Sequence, residues 1–306
     1  MNPARPDVTA RIARLFVYPV KSCAGVELQE ALLTETGLEF DRAWMVVDAD
    51  GGFVSQRELP RMALIRPQLK TFEMVLRAPG MLALHIALDA VEQPVRARVW
   101  DDEGSAYDMG DVAAQWFSDF LAPDRPPAAG SSRPLRLVRF DPEQQRVSSL
   151  AWTGGVAAPN QFSDGFPLLV TSEASVQELN IRLAAAGQAP VGVERFRPNL
   201  VLAGVEAHDE DRLGAMHIAT GPVPEEGEGV GGVDLQPVKP CARCPIPNID
   251  PATALPSPAV GDALQAYRAD PRLDGALTFG MNAIVLRGVE QTLRVGQTVT
   301  ADYRFD

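Results

Sequence analysis

Residues 238–250 read VKPCARCPIPNID. The stretch holds Cys241 and Cys244, two of the chain's three cysteines, with Arg243 between them. In a thioredoxin-like protein a C-x-x-C pair follows a strand and opens a helix within a βαβ unit. Pro245 and Pro247 stand where that helix would run. A proline there lacks the N–H a helix needs and pushes its predecessor out of the α region. The motif is therefore read as a proline-stiffened loop in a strand-rich fold. For the sulfurs themselves several roles stay open: a soft ligand for a metal, redox chemistry, or an inert buried pair.

Two metal readings lack ligands. A structural zinc site needs four, and here one pair is joined only by the distant Cys23 and the scattered His85, His208 and His217. An iron–sulfur cluster wants four thiolates and the sequence has three cysteines. An odd, low cysteine count suits reduced thiols in the cytoplasm.

Outward from the motif, strand signals dominate. Ile12–Val20, Ala43–Val47, Phe53–Ser55, Leu69–Leu76, Met81–Ile86 and Val95–Trp100 are rich in β-branched and aromatic residues, and Asp50-Gly51 marks a hairpin. Leu135–Phe140, Asn199–Gly204, Met216–Ala219, Val233–Val238 and Thr278–Leu286 continue the pattern. Asp111–Leu121 repeats apolar residues at helical spacing, Ser172 is placed to cap a helix through Leu183, and Asp262–Arg268 is a third helix. There is no βαβ rhythm. The segment 122–134, APDRPPAAGSSRP, reads as a linker, which divides the chain into 1–130 and 131–306. The acidic, glycine-rich segment 222–232 reads as a mobile loop. The expected class is α+β, mostly β, with a β-barrel.

The formal net charge of −12 argues against nucleic acid as a partner. No apolar run reaches the roughly 20 residues of a membrane helix, and the N-terminal residues lack a signal-peptide core. Against this acidic background, Lys21, Arg42, Arg197 and Arg243 fall near expected strand ends, with Ser22 and Asn199 beside them. Together they suggest a pocket for an anion. Gln56, Arg57 and Arg61 add polar and basic groups after the hairpin.

At this point the segments YPVKSCAGVEL, GLEFDRAWMVVD and VSQRELPRMALI resemble the N-terminal domain associated with MOSC proteins. DGFPLLVTSEAS, FRPNLVL, KPCARCPIPNIDPATA and FGMNAIV resemble the MOSC domain itself. The order and spacing match across nearly the whole chain, and the nearest kind is the amidoxime-reducing components. The resemblance implies a MOSC-type β-barrel packed with a smaller N-terminal β-rich domain. It also implies a molybdenum cofactor enzyme that reduces N-hydroxylated compounds: amidoximes, hydroxylamines and N-hydroxylated base analogues. In the family the metal is held by a pterin dithiolene and one protein thiolate, which matches Cys244. Lys21, Ser22, Arg42, Arg197, Asn199 and Arg243 match residues that hold the pterin and its phosphate. Gly165 and Phe166 fall where the backbone nears the cofactor, and Asn282 stands where the mitochondrial relatives have a tyrosine. Asp164 is placed for proton transfer, and Cys241 is left to support the loop. No cysteine follows Cys244, so electrons are expected from a separate ferredoxin-like, flavin reductase or cytochrome b5-like protein. The rival within the family is a sulfur or cofactor carrier with Cys244 as its persulfide or cofactor site. A pyridoxal-phosphate domain is not expected.

Overall fold

The structure is a computed structural model that describes residues 5–90, 93–122, 135–220 and 231–305. Seven strands close a barrel in the order Leu168–Ser172, Leu200–Ala203, Val8–Val17, Thr298–Ala301, Met216–Ala219, Gly232–Ala242 and Ala276–Arg287. The last strand pairs back onto the first, with Leu169 opposite Asn282. Val8–Val17 alternates buried and exposed residues in its first half, and its inward Ile12 and Leu15 meet Val170, Leu202, Leu235 and Val299 in the barrel core. Closure leaves no free strand edge around the ring.

The strands at residues 168–172 and 200–203 are parallel, joined through helix Glu173–Ala185. The fold therefore contains one βαβ crossover, which the sequence reading missed because strand Leu168–Ser172 is buried at all five positions and shows no alternation. Ser172 does cap the helix, accepting from Ser175 N at 3.1 Å. Val176, Leu179 and Leu183 bury one face of that helix against Phe196, Val201 and Phe279.

A second body of strands flanks the barrel. Trp44–Val47, Arg136–Phe140, Asp102–Asp108 and Gln93–Val99 form a four-stranded antiparallel sheet. Arg66–Leu69, Glu73–Arg77 and Leu84–Ala87 form a three-stranded one. The expected single strand over 69–76 is thus two, because Lys70 N bonds to Glu73 O and turns the chain. Helix Gly110–Leu121 buries Trp116, Phe117, Phe120 and Leu121 in the same apolar core as Trp44, Met62 and Leu137.

The two bodies interleave along the chain. The first strand, Val8–Val17, belongs to the barrel, and Arg136–Phe140 belongs to the four-stranded sheet. Most of the linker read at 122–134 and of the loop read at 222–232 lies outside the described residues. Among the described residues no helix is long and apolar enough to cross a membrane.

Candidate functional site

The C-x-x-C motif straddles a strand end. Gly232–Ala242 runs through Pro237, Pro240 and Cys241, with register shifts around each proline. Bulges are where a sheet tolerates a residue without an N–H. Cys241 therefore lies on the strand rather than in a loop, and Cys244 lies just past its end, before the short turn Ile246–Asn248. All three cysteines are free thiols.

Cys244 faces a cleft of about 780 Å³, counting the space open to solvent. Lys21, Ser22, Arg42, Asp164, Phe166, Arg197, Asn199, Arg243 and Asn282 line the same cleft. Gly165 is the one expected residue that does not line it, although both its neighbours do.

Backbone pairing explains why residues so distant meet. Lys21 N bonds to Trp44 O at 2.8 Å, Trp44 N to Pro19 O at 3.0 Å and Arg42 N to Tyr18 O at 2.9 Å. These bonds tie the end of the first barrel strand to the start of the second body. Asn199 is a buried fastener: its Oδ1 accepts from Leu169 N at 3.0 Å and Arg42 Nη1 at 3.1 Å, and its Nδ2 donates to Phe16 O at 3.2 Å. It holds Arg42 between the barrel and the cleft.

The cations are crowded. Arg42 and Arg197 stack on the buried ring of Tyr18, at 4.5 and 4.2 Å from its centroid. Arg42 has Asp41 as an ionic partner. Arg197 donates to Cys23 O at 2.5 Å and Arg243 to Phe196 O at 2.8 Å; among the described residues neither has a carboxylate partner. Burial first, then repulsion from Arg42, brings the Arg197 guanidinium down to about 10. Arg243 Nε is buried with no hydrogen-bond partner. Half-buried guanidiniums without counter-ions are costly by themselves and favour an anion beside them.

Lys21 is buried and Asp164 is 69% exposed along its side chain, yet Nζ and Oδ1 are 2.5 Å apart. Lys21 also donates to Phe162 O at 2.8 Å. Burial pushes the lysine below its ordinary range, against the pull of Asp164. Crowding works to raise the Asp164 carboxyl, but Lys21, Arg42 and the Trp100 N–H outweigh it and hold the group well below the usual carboxylate range. Solvent screens so exposed a carboxylate, so the pair adds little to stability.

Four of the nine non-glycine residues with positive φ among the described residues belong here: Ser22 at 67°, Arg42 at 51°, Arg197 at 58° and, on the rim, Trp100 at 56°. Such backbone costs energy and gathers where function demands it. Phe53, Ser55, Arg57, Ser163, Phe196 and Ile246 also line it, with Leu168, Leu169, Ala242 and Cys241 itself. Of these only Arg57 and Cys241 carried a sequence signal. Arg61 turns away and donates to Phe120 O, and none of the three histidines lines the cleft. Beyond Arg197 and Ile246 lies a second, larger cavity of about 1150 Å³, again counting the space open to solvent.

Comparison with known proteins fits this arrangement. Residues 9–124 match the family described as MOSC N-terminal beta barrel domain, and residues 157–300 match the MOSC domain. Mitochondrial amidoxime-reducing component 1 of Mus musculus is 33% identical over 252 residues, covering 80% of this chain and 67% of that one. The chain belongs to the amidoxime-reducing component family of MOSC proteins. The human component 1 is also 33% identical, covering 85% of this chain and 73% of its own. Component 2 of Rattus norvegicus is 32% identical, covering 80% and 68%. As a MOSC protein the chain has its two family matches meeting at this cleft: Lys21, Ser22 and Arg42 come from the first, and Asp164, Arg197, Cys244 and Asn282 from the second.

Proposed function

We propose that the protein is a molybdenum-cofactor-dependent reductase of N-hydroxylated compounds, placed in the cytoplasm and fed by a separate electron-donor protein. The observation that carries this reading is one cleft holding a free thiol, Cys244, together with Lys21, Arg42 and two guanidiniums, Arg197 and Arg243, that have no carboxylate partner among the described residues.

The donor set fits such a group. Among the described residues no three His, Cys, Asp or Glu side chains gather as a metal site. A metal at Cys244 would therefore bring most of its ligands with it, as a metal held by a pterin dithiolene does. Cys244 would give the one protein thiolate. Lys21, Ser22, Arg42, Arg197 and Arg243 would hold the anionic pterin and its phosphate, with Asn199, Asn282 and the backbone at Gly165 and Phe166 shaping the walls. When bound, the cofactor supplies the two electrons that break an N–O bond.

The chain's own residues handle position and protons. Reducing N–OH to N–H and water consumes two protons. Lys21 Nζ is buried in the cleft wall, and burial makes its ammonium a better acid. Asp164 stays ionised, touches Nζ and is open to water, so it can return a proton to Lys21 from solvent. Arg57 and Phe53 line the same cleft, with Lys21 Nζ 5.3 Å from the Phe53 ring centroid.

The test is purification from a host that makes the cofactor, with molybdenum and pterin counted per chain. Turnover of an amidoxime is then measured with a supplied reductase. Unchanged metal content and activity in Cys244→Ser would sink the assignment. Cyanide-labile sulfur on Cys244 without molybdenum would instead support the sulfur-carrier reading.

A further inference from the structure

Trp100 sits at the rim of the cleft in a conformation that a tryptophan rarely adopts. It closes the hairpin between strands Gln93–Val99 and Asp102–Asp108, with φ at +56°. A glycine would make that turn without strain. The indole does not compensate by filling the core, since the residue is 44% exposed. Three contacts aim it at the cleft. Its Nε1 donates to Asp164 Oδ1 at 3.2 Å. The Arg57 guanidinium lies 4.8 Å from its ring. The Phe53 ring meets it edge-on, with centroids 5.0 Å apart and planes at 63°. Phe53, Arg57 and Asp164 all line the cleft that Cys244 faces.

The carboxylate beside the indole is only half used. Asp164 Oδ1 accepts from both Lys21 and Trp100. Among the described residues Oδ2 has no partner, and the side chain is mostly exposed. A free acceptor thus stands next to an exposed aromatic surface at the mouth of the cleft.

We propose that Trp100 and Phe53 form an aryl-binding rim, and that the preferred substrates carry their N-hydroxylated group on a flat aromatic ring. The proposal rests on the reductase reading and names the substrate class. The ring of an aryl amidoxime packs against the exposed indole in an offset or edge-on geometry, while its N–H donates to Asp164 Oδ2. That places the N–O group inside the cleft, below Lys21. A short alkyl amidoxime makes the same polar contact and gains nothing from the rim. Arg57, over the indole, fixes the ring's orientation and acts as a positioning residue.

The experiment compares holoprotein with Trp100→Gly, which suits the left-handed turn, and Trp100→Phe, which keeps an aromatic ring. The readout is the ratio of kcat/KM for benzamidoxime to that for acetamidoxime. The ratio should fall about tenfold in Trp100→Gly, through KM for the aryl compound, and recover most of that in Trp100→Phe. A ratio unmoved in Trp100→Gly overturns the proposal. A second arm needs no turnover: benzamidine is titrated calorimetrically into each protein. Binding weakened about tenfold by Trp100→Gly supports the rim even if the reductase reading fails. Failure of benzamidine to bind the wild type overturns the rim, while molybdenum loading at Cys244 is scored separately.

Discussion

The Arg243 guanidinium donates from Nη1 to the sulfur of Cys241, 2.9 Å away. The sulfur of Cys244 makes no hydrogen bond among the described residues and faces the cleft. Two cysteines three residues apart are thus chemically unlike. Both line the cleft, but one sulfur is held on a strand by an arginine, and the other has no hydrogen-bond partner among the described residues.

The unequal pair predicts unequal variants. Cys244→Ser should lose nearly all bound molybdenum, while Cys241→Ala, which leaves Arg243 no acceptor there, should keep most of it and show a modest fall in stability, about 1 kcal/mol for one lost hydrogen bond. Metal content by mass spectrometry and a urea melt of each variant check this. Equal metal loss in both would contradict it.

Asp164→Asn keeps the size of the side chain and its bond from Trp100 but removes the charge beside Lys21. With cofactor loading unchanged, kcat should drop by roughly a hundredfold, as for loss of a positioned proton carrier. The Lys21 proton is then less tightly held, so the pH at which activity fades on the alkaline side should move down. A pH–rate profile at saturating substrate reads both effects.

Glu210 is fully buried beneath the cap of helix Glu173–Ala185, where Oε1 accepts from Ser175 Oγ at 2.6 Å and Oε2 has no partner. Burial raises its carboxyl to about 7. The folded state then holds a proton that the unfolded chain has released, so its stabilisation is full below about 4.5 and fades as pH rises through 7. His208, whose backbone N also donates to Ser175 Oγ, works the other way, since burial lowers it to about 4. Its stabilisation is full above about 6.5 and lost as pH falls towards 4. The two slopes oppose each other between about 4.5 and 6.5. Glu210→Gln should unmask the histidine's slope, so that the variant gains stability relative to wild type as pH rises, by on the order of a few kcal/mol across that range. Denaturant titrations at several pH values test the sign.

Gly37 has φ at 107°, and a Cβ there would lie 2.4 Å from the carbonyl oxygen of Pro167. Backbone cannot yield as a side chain does. Gly37→Ala should cost about 2 kcal/mol or more and disturb the segment carrying Asp164 and Phe166. A lower Tm together with weakened cofactor retention is the expected result, and an unchanged melt would refute the close approach.

Much of the fold was legible because its signals are local. Met216–Ala219 was read to the residue, helix Gly110–Leu121 to within one, and the Ser172 cap as it stands. What escaped was set by tertiary context. The strand Leu168–Ser172 hid because both its faces are buried, and Gly232–Ala242 extends into the motif because bulges absorb its prolines. The cleft was readable in its charges, since Lys21, Arg42, Arg197 and Arg243 stood out in an acidic chain. Its aromatic rim was not. Nothing local marks Trp100 as a neighbour of Asp164, because that contact joins residues 64 positions apart through a hairpin that belongs to a different sheet from the barrel.

The barrel's ring order bears on how the protein is made. Val8 pairs with Ala301, and Arg11 pairs with both Thr298 and Ala203. Val8–Val17 must wait for a strand almost 300 residues later in the sequence before the ring can shut, while its N–H and C=O groups stand open to other partners. Contacts so far apart in sequence form slowly. Neither half can therefore finish alone, and a cleft lined from both halves is assembled only at the end. The cleft is therefore complete only once Thr298–Ala301 has joined Val8–Val17 in the ring, so any ligand that needs both halves binds a chain that has already made this longest-range pairing.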